Sequence, residues 1–169
     1  MIFLEKLKNA GAIILNDKQD VFNFNGSKVV INGLTDQSII KKYQKQPVKE
    51  LEERVTDLIK KDTGDLNILL YHRQQYIDVL KNLNVDIIFS GHAHGGQVRL
   101  PFLKGLYVPY QGILPKYTSD IHLLNNNRCG DNKEVSLCIS RGLGNSRCPI
   151  RIFNPPEINV ITVKSKGAI

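Results

Sequence analysis

Ile87-Ile88-Phe89-Ser90-Gly91-His92-Ala93-His94-Gly95-Gly96-Gln97, with the earlier Asn67-Ile68-Leu69-Leu70-Tyr71-His72, is the stretch whose reading decides the fold. Val85 to Phe89 and Asn67 to Tyr71 are apolar runs typical of strands buried on both faces. Between them Tyr76, Val79, Leu80 and Leu83 recur at helical spacing, so the segment reads strand, helix, strand, a parallel crossover unit. In open α/β sheets ligands gather beyond the carboxyl ends of the parallel strands, where loops project side chains over one crevice. His72 directly follows one strand, His92 follows the other, and His94 lies two residues further on. Adjacent strands would bring all three imidazoles to one crevice.

Working outward, Phe3, Leu4 and Leu7 repeat at helical spacing before Gly11, which predicts a short helix over 2–10 with a glycine cap. Ala12 to Leu15 and Asp20 to Phe24 read as strands, and Asn25-Gly26 is a two-residue hairpin signal leading into a strand over Lys28 to Asn32. After a polar stretch ending at Pro47, Leu51, Val55, Leu58 and Ile59 predict a helix of about four turns, with Gly64 marking its end. Beyond Gly91 glycines, prolines and short alternating runs predict a mostly β second half, with a loop or hairpin tip from Asn125 to Asn132. No internal repeat or low-complexity tract interrupts this order.

The 169 residues fit one ordinary domain, and 41% hydrophobic with 23% charged residues is the balance of a folded, water-soluble chain. Its apolar runs are too short to cross a bilayer, so no membrane anchor or signal peptide is expected within it. Cys129, Cys138 and Cys148 are odd in number and not at zinc-ligand spacing, which points to reduced thiols in an intracellular protein. The formal charge of +7 favours anionic partners. However, Lys41, Lys42, Lys60 and Lys61 sit in polar, helix-like stretches without interleaved aromatics, so a solvated basic surface is the simpler account and no specific nucleic acid is predicted.

Neutral imidazole is a common ligand for zinc, manganese and iron, and the small residues around His92 and His94 allow a tight metal-binding turn. His122 stands apart and reads as a surface or hydrogen-bonded residue. The segment Ile87 to Gln97, followed by Arg99-Leu100-Pro101, closely resembles the last metal-binding motif of calcineurin-like metallophosphoesterases, in their bacterial branch. Ile68 to His72 resembles the preceding motif of that family, while Ser140 to Gly144 and Pro149 to Glu157 resemble its carboxy-terminal tail. The opening helix, the Asn25-Gly26 hairpin and Asn32-Gly33-Leu34-Thr35-Asp36 look like the middle of the same family.

The resemblance implies an α/β fold, part of a four-layer α/β/β/α sandwich with mixed sheets, of which this chain is a single partial domain without the amino-terminal half. It implies two divalent ions, manganese, iron or zinc, that activate water for in-line attack on a phosphoric ester. By carry-over His72 and His92 ligate one ion, His94 the other, and Gly91, Gly95 and Gly96 shape the rim beside the leaving group. Arg141 is the candidate phosphate contact, a role that competes evenly with a structural salt bridge. The family's further motifs, Asp-x-His, Gly-Asp and Gly-Asn-His, do not precede His72 as a series, so this chain alone is expected to bind at most one ion, weakly, and to be inactive.

Asp120-Ile121-His122, Gly130-Asp131 and Gly144-Asn145-Ser146 occur in the order a circular permutant would require. The spacing excludes them, since a parallel crossover needs about a dozen residues or more and the first two are closer than that. The expected function is therefore metal-dependent hydrolysis of a phosphomonoester or phosphodiester, with the rest of the domain as partner, self-association of the isolated chain, and a location in the cytoplasm or on the cytoplasmic face of a membrane. The alternative is a noncatalytic module that holds an anionic partner, nucleic acid or acidic lipid, on its basic surface.

Overall fold

A computed structural model of the chain describes residues 2–36, 48–109, 111–127, 133–145 and 150–164. The chain is α/β, with a mixed sheet and few helices, and it divides into two compact units. Residues 1–92 with 120–139 form the first unit, and residues 93–119 with 140–169 form the second. Among the described residues no helix is long and apolar enough to cross a membrane.

The first unit opens with helix α1 (Ile2–Asn9), closed by hydrogen bonds from the amides of Ala10, Gly11 and Ala12. Gly11 takes φ +88°, the left-handed cap that its sequence position calls for. Ala12 to Leu15 is not a strand: it crosses over the end of β2, where a Cβ on Gly33 would lie 2.2 Å from Cβ of Leu15. Strand β1 (Lys18–Phe24) turns at Asn25 and Gly26, both at positive φ, into the antiparallel strand β2 (Ser27–Gly33). The expected long helix is α2 (Val48–Ile59), ending well before Gly64.

Strand β3 (Leu66–Leu70) lies parallel to β2 and to β4 (Ile87–Ser90), as a crossover unit requires. The expected helix through Leu83 contracts to a 3₁₀ turn at Gln74–Tyr76 and one turn of α-helix, α3 (Ile77–Leu80). The two 3₁₀ and α turns suffice to place Ile77 and Leu80 in the core, and Asn126 donates its side-chain amide to the Leu83 carbonyl beyond them. Strand β9 (Asp120–Asn125) pairs antiparallel with β10 (Glu134–Ile139), which runs parallel to β4. The resulting six-stranded sheet has the order β1-β2-β3-β4-β10-β9.

Register sorts the residues of this sheet by face. Asn32, Leu69, Ile88 and Leu137 stand in one row, and all four are fully buried. With Leu51, Val55, Leu58 and Ile59 of α2 they build the core. The opposite face carries the rows Leu70, Phe89, Cys138, Ile121 and Ile31, Ile68, Ile87, Ser136, Leu123. Leu123 is 64% exposed, Ile121 52% and Leu70 40%. One face of the sheet is therefore closed, and the other is apolar and partly open: Ile87 and Cys138 are buried on it, while Leu70, Ile121 and Leu123 are exposed.

The second unit is built from short two-stranded pieces, β5 (Arg99–Leu100) with β6 (Leu103–Gly105) and β7 (Tyr107–Val108) with β8 (Gly112–Ile113). Ile152 bridges Val98 in parallel and fastens the tail of the chain to the segment that follows His94. Cys138 is a buried free thiol whose burial raises its pKa. Cys129, Cys148, the polar segment 37–47 and most of the expected 125–132 loop lie outside the described residues.

Candidate functional site

The ladder between β3 and β4 continues past the strands themselves. The Tyr71 amide donates to the Phe89 carbonyl at 3.1 Å and the Gly91 amide to the His72 carbonyl at 3.2 Å, while Ser90 Oγ donates to the Tyr71 carbonyl at 2.7 Å. These bonds hold the two carboxyl ends together, and with them the histidines that follow. The rings of His72 and His92 stand edge to face with centroids 5.3 Å apart. A Cβ on Gly91 would reach to 3.3 Å from His72 Nδ1, so the glycine leaves the imidazole its room. His92 itself takes φ +59°, an uncommon conformation for a side-chain-bearing residue at a sharp turn. A cavity of about 380 Å³ opens beside His72, walled by Leu15, Leu34, Leu70, Phe89 and Gly91.

Two imidazole nitrogen donors at adjacent strand ends fit part of the coordination shell of one divalent ion. Among the described residues, no group of three or more histidine, cysteine, aspartate or glutamate side chains stands together. The pair of imidazoles brings no negative charge to balance a second cation. Flanking the pair, Arg73 and Asp36 form a buried ion pair, and burial together with the Asp36 charge pushes the Tyr71 phenol well above its ordinary range. Sequence reasoning missed this pair, whose members lie 37 residues apart with no local pattern to mark the contact.

In the second unit His94 takes φ +46° and opens the tight turn through Gly95 and Gly96 to Gln97. Its ring lies 3.4 Å from Arg151 Nη2 through Nδ1. Burial and the Arg151 charge lower its pKa against an opposing hydrogen bond to the Gly144 backbone, which favours the neutral imidazole that a metal ligand must be. Gly96 packs against Gly105, where a Cβ would come to 2.3 Å from the Gly105 Cα. Arg141 is engaged by Glu157 through both Nε and Nη2, with the two side chains 22% and 14% exposed. Burial alone would raise the Glu157 carboxyl, but hydrogen bonds from Arg141 and Asn159 outweigh it and hold the group below its ordinary range.

Asp120 and His122 both lie within the edge strand β9, which is antiparallel to its neighbour, and not beyond the end of a parallel strand. Gly130, Asp131 and Ser146 lie outside the described residues.

The chain is similar to proteins named metallophosphoesterase. It is similar to the uncharacterized metallophosphoesterase YkuE of Bacillus subtilis, 28% identical over 163 residues that cover 95% of this chain and 50% of YkuE. It is also similar to the uncharacterized protein YpbG of Bacillus subtilis, 27% identical over 157 residues covering 92% of this chain and 50% of that protein. The UDP-2,3-diacylglucosamine pyrophosphatase LpxG of Chlamydia muridarum is 33% identical over 107 residues, covering 56% of this chain and 28% of LpxG. The chain thus spans about half the length of the curated relatives that it matches over most of its own length. No family model matches it, and no solved structure matches it.

Proposed function

We propose that the chain is the carboxy-terminal part of a metal-dependent phosphoric ester hydrolase, in which His72 and His92 hold one divalent ion and His94 a ligand position on a second. The observation that carries this reading is the edge-to-face pair His72 and His92, brought to 5.3 Å by hydrogen bonds that join the carboxyl ends of two parallel strands. Bound there, a divalent ion supplies Lewis-acid polarisation of a phosphoryl oxygen. The protein's own part is to hold the imidazoles on rigid strand ends and to keep the backbone of Gly91 close to them.

The remaining carboxylate and histidine ligands, and the second β layer of a four-layer sandwich, belong in this reading to an amino-terminal part. The open apolar face of the six-stranded sheet and the half-length match to YkuE and YpbG support it. Arg141 serves on this reading as a structural partner of Glu157 in the resting chain, and Gly91, Gly95 and Gly96 line the rim. The substrate class is a phosphomonoester, phosphodiester or pyrophosphate, and the location is the cytoplasm or the cytoplasmic face of a membrane.

Equilibrium dialysis of the 169-residue chain against Mn²⁺ tests the assignment. At most one ion should bind, weakly, and His72→Ala or His92→Ala should each abolish binding while His122→Ala leaves it unchanged. Binding that survives both of the first two substitutions would overturn the assignment. In the full-length protein the same two variants should reduce hydrolysis of an aryl phosphodiester to background.

A further inference from the structure

His94, Gly95, Gly96 and Gln97 are four successive residues at positive φ, +46°, +65°, +78° and +61°. Glycine accepts such angles without penalty, but histidine and glutamine do so only where surroundings hold them. The turn has its own short bonds, from the Gly96 amide to the Ala93 carbonyl and from the Gln97 amide to the His94 carbonyl. One further side chain grips it from outside. Asn154 is 2% exposed and its Nδ2 donates to the His94 carbonyl at 2.6 Å and to the Gln97 carbonyl at 3.2 Å.

Both hydrogens of one planar amide are thereby spent on the two carbonyls that bracket the turn. The opposite orientation of the amide would set Oδ1 against two carbonyl oxygens, so the donors must face the turn. The remaining oxygen, Oδ1, lies where the Cβ of any larger residue at position 95 would fall, at 2.2 Å, which seats the Gly95 backbone directly against the amide. The tail that carries Asn154 is itself tied down two residues earlier, since the Arg99 amide donates to the Ile152 carbonyl at 2.9 Å and the Ile152 amide to the Gln97 carbonyl at 3.3 Å.

We propose that Asn154 is a positioning residue for His94: its amide staples the 94–97 turn and so fixes where the imidazole is presented. The value of this for function rests on the reading of His94 as a metal ligand. Groups that orient a ligand from behind typically change metal affinity about 10–100-fold when removed. Asparagine is the side chain that suits the place, because aspartate has the same shape and no hydrogens to give, while serine has one and falls short.

The experiment compares the full chain with Asn154→Asp, Asn154→Gln and His94→Ala. The first readout is the His94 ring ¹H–¹³C signal of the metal-free chain, identified as the line lost in His94→Ala. Asn154→Asp should shift or broaden that line, and Asn154→Gln, which keeps both donors, should restore it in part. The second readout is the affinity of the full-length protein for its second Co²⁺ ion, the one that His94 would ligate, which should fall about tenfold or more in Asn154→Asp. An unaltered ring signal in Asn154→Asp overturns the proposal, because loss of packing alone is minimal in an isosteric change. If His94→Ala leaves Co²⁺ affinity unchanged, the ligand reading has failed, and the ring signal of the metal-free chain alone decides the positioning. Should Asn154→Asp not fold, Asn154→Ser is read by the same two criteria.

Discussion

The carboxylate of Asp36 accepts a hydrogen bond from Nε of Arg73 at 2.7 Å, with the two side chains only 5% and 8% exposed. The pair joins the segment leaving β2 to the residue directly after His72, so it ties two strand ends together next to the imidazole pair. Removing one partner of a buried ion pair strands the other charge, at a cost of roughly 3–5 kcal/mol. Arg73→Met alone should therefore lower the urea midpoint severely, whereas Asp36→Leu combined with Arg73→Met should restore most of the loss. If the single variant is as stable as the wild type, the pair is not a structural tie.

Gly33 closes β2 beneath the chain that crosses over it. A Cβ there would lie 2.2 Å from Leu15 Cβ and 2.5 Å from the Leu15 carbonyl oxygen, and backbone cannot swing aside as a flexible side chain can. Gly33→Ala should destabilise the first unit by roughly 1–3 kcal/mol, the usual range for overpacking. Gly144→Ala, with nothing within 4 Å of its added Cβ, is the control and should melt with the wild type. Equal melting temperatures for the two variants would show that the crossing at Leu15 yields.

Local chemistry was legible where it alone decides the conformation. The Asn25-Gly26 turn, the Gly11 cap and the apolar runs of β3 and β4 could be read because each depends on neighbours in sequence. Ala12 to Leu15 is apolar enough for a strand, but tertiary position decided against it: the segment passes over Gly33 and joins no ladder. The short α3 has the same cause in reverse, since one turn of helix already buries Ile77 and Leu80. Asn154 and the Asp36–Arg73 pair were not legible, because their partners lie 57 to 60 and 37 residues away and no local pattern marks such contacts.

Glu157 carries the pH dependence that the second unit should show. Although burial opposes it, the Arg141 bond holds the carboxyl below its ordinary 4.5, so the folded state favours the charged form more than the unfolded chain does. A depressed folded pKa contributes stability that is fully present above the unfolded value and is lost as the pH falls through the folded one. Thermal unfolding from pH 7 down to about 3 should show this loss in the wild type. In Arg141→Gln the carboxyl keeps its burial and the Asn159 bond but loses the Arg141 charge, so the variant should be less stable at pH 7 and flatter through the acid window. Parallel curves for the two proteins would exclude Arg141 as the source.

The open face of the six-stranded sheet makes the last prediction. Ile121 and Leu123 stand exposed on it at the β9 side and Leu70 at the β3 side, with the half-buried Phe89 and Ile68 beside Leu70 and the buried Ile87 and Cys138 between. Surfaces of this kind on a soluble chain are places of association. Among the described residues, strand β9 also leaves one edge of the sheet without a neighbour. The 169-residue chain by itself should therefore self-associate, and sedimentation should show a dimer or larger species whose fraction grows with concentration. Leu123→Lys with Ile121→Thr places a charge and a hydroxyl on the face at two of its most exposed positions without touching the buried row. This variant should move the association midpoint tenfold or more toward higher concentration, about 1.4 kcal/mol or greater in dimer free energy. A wild-type chain that stays monomeric at every concentration would mean that the open face does not drive association. It would also remove one of the two supports for a second β layer seated there.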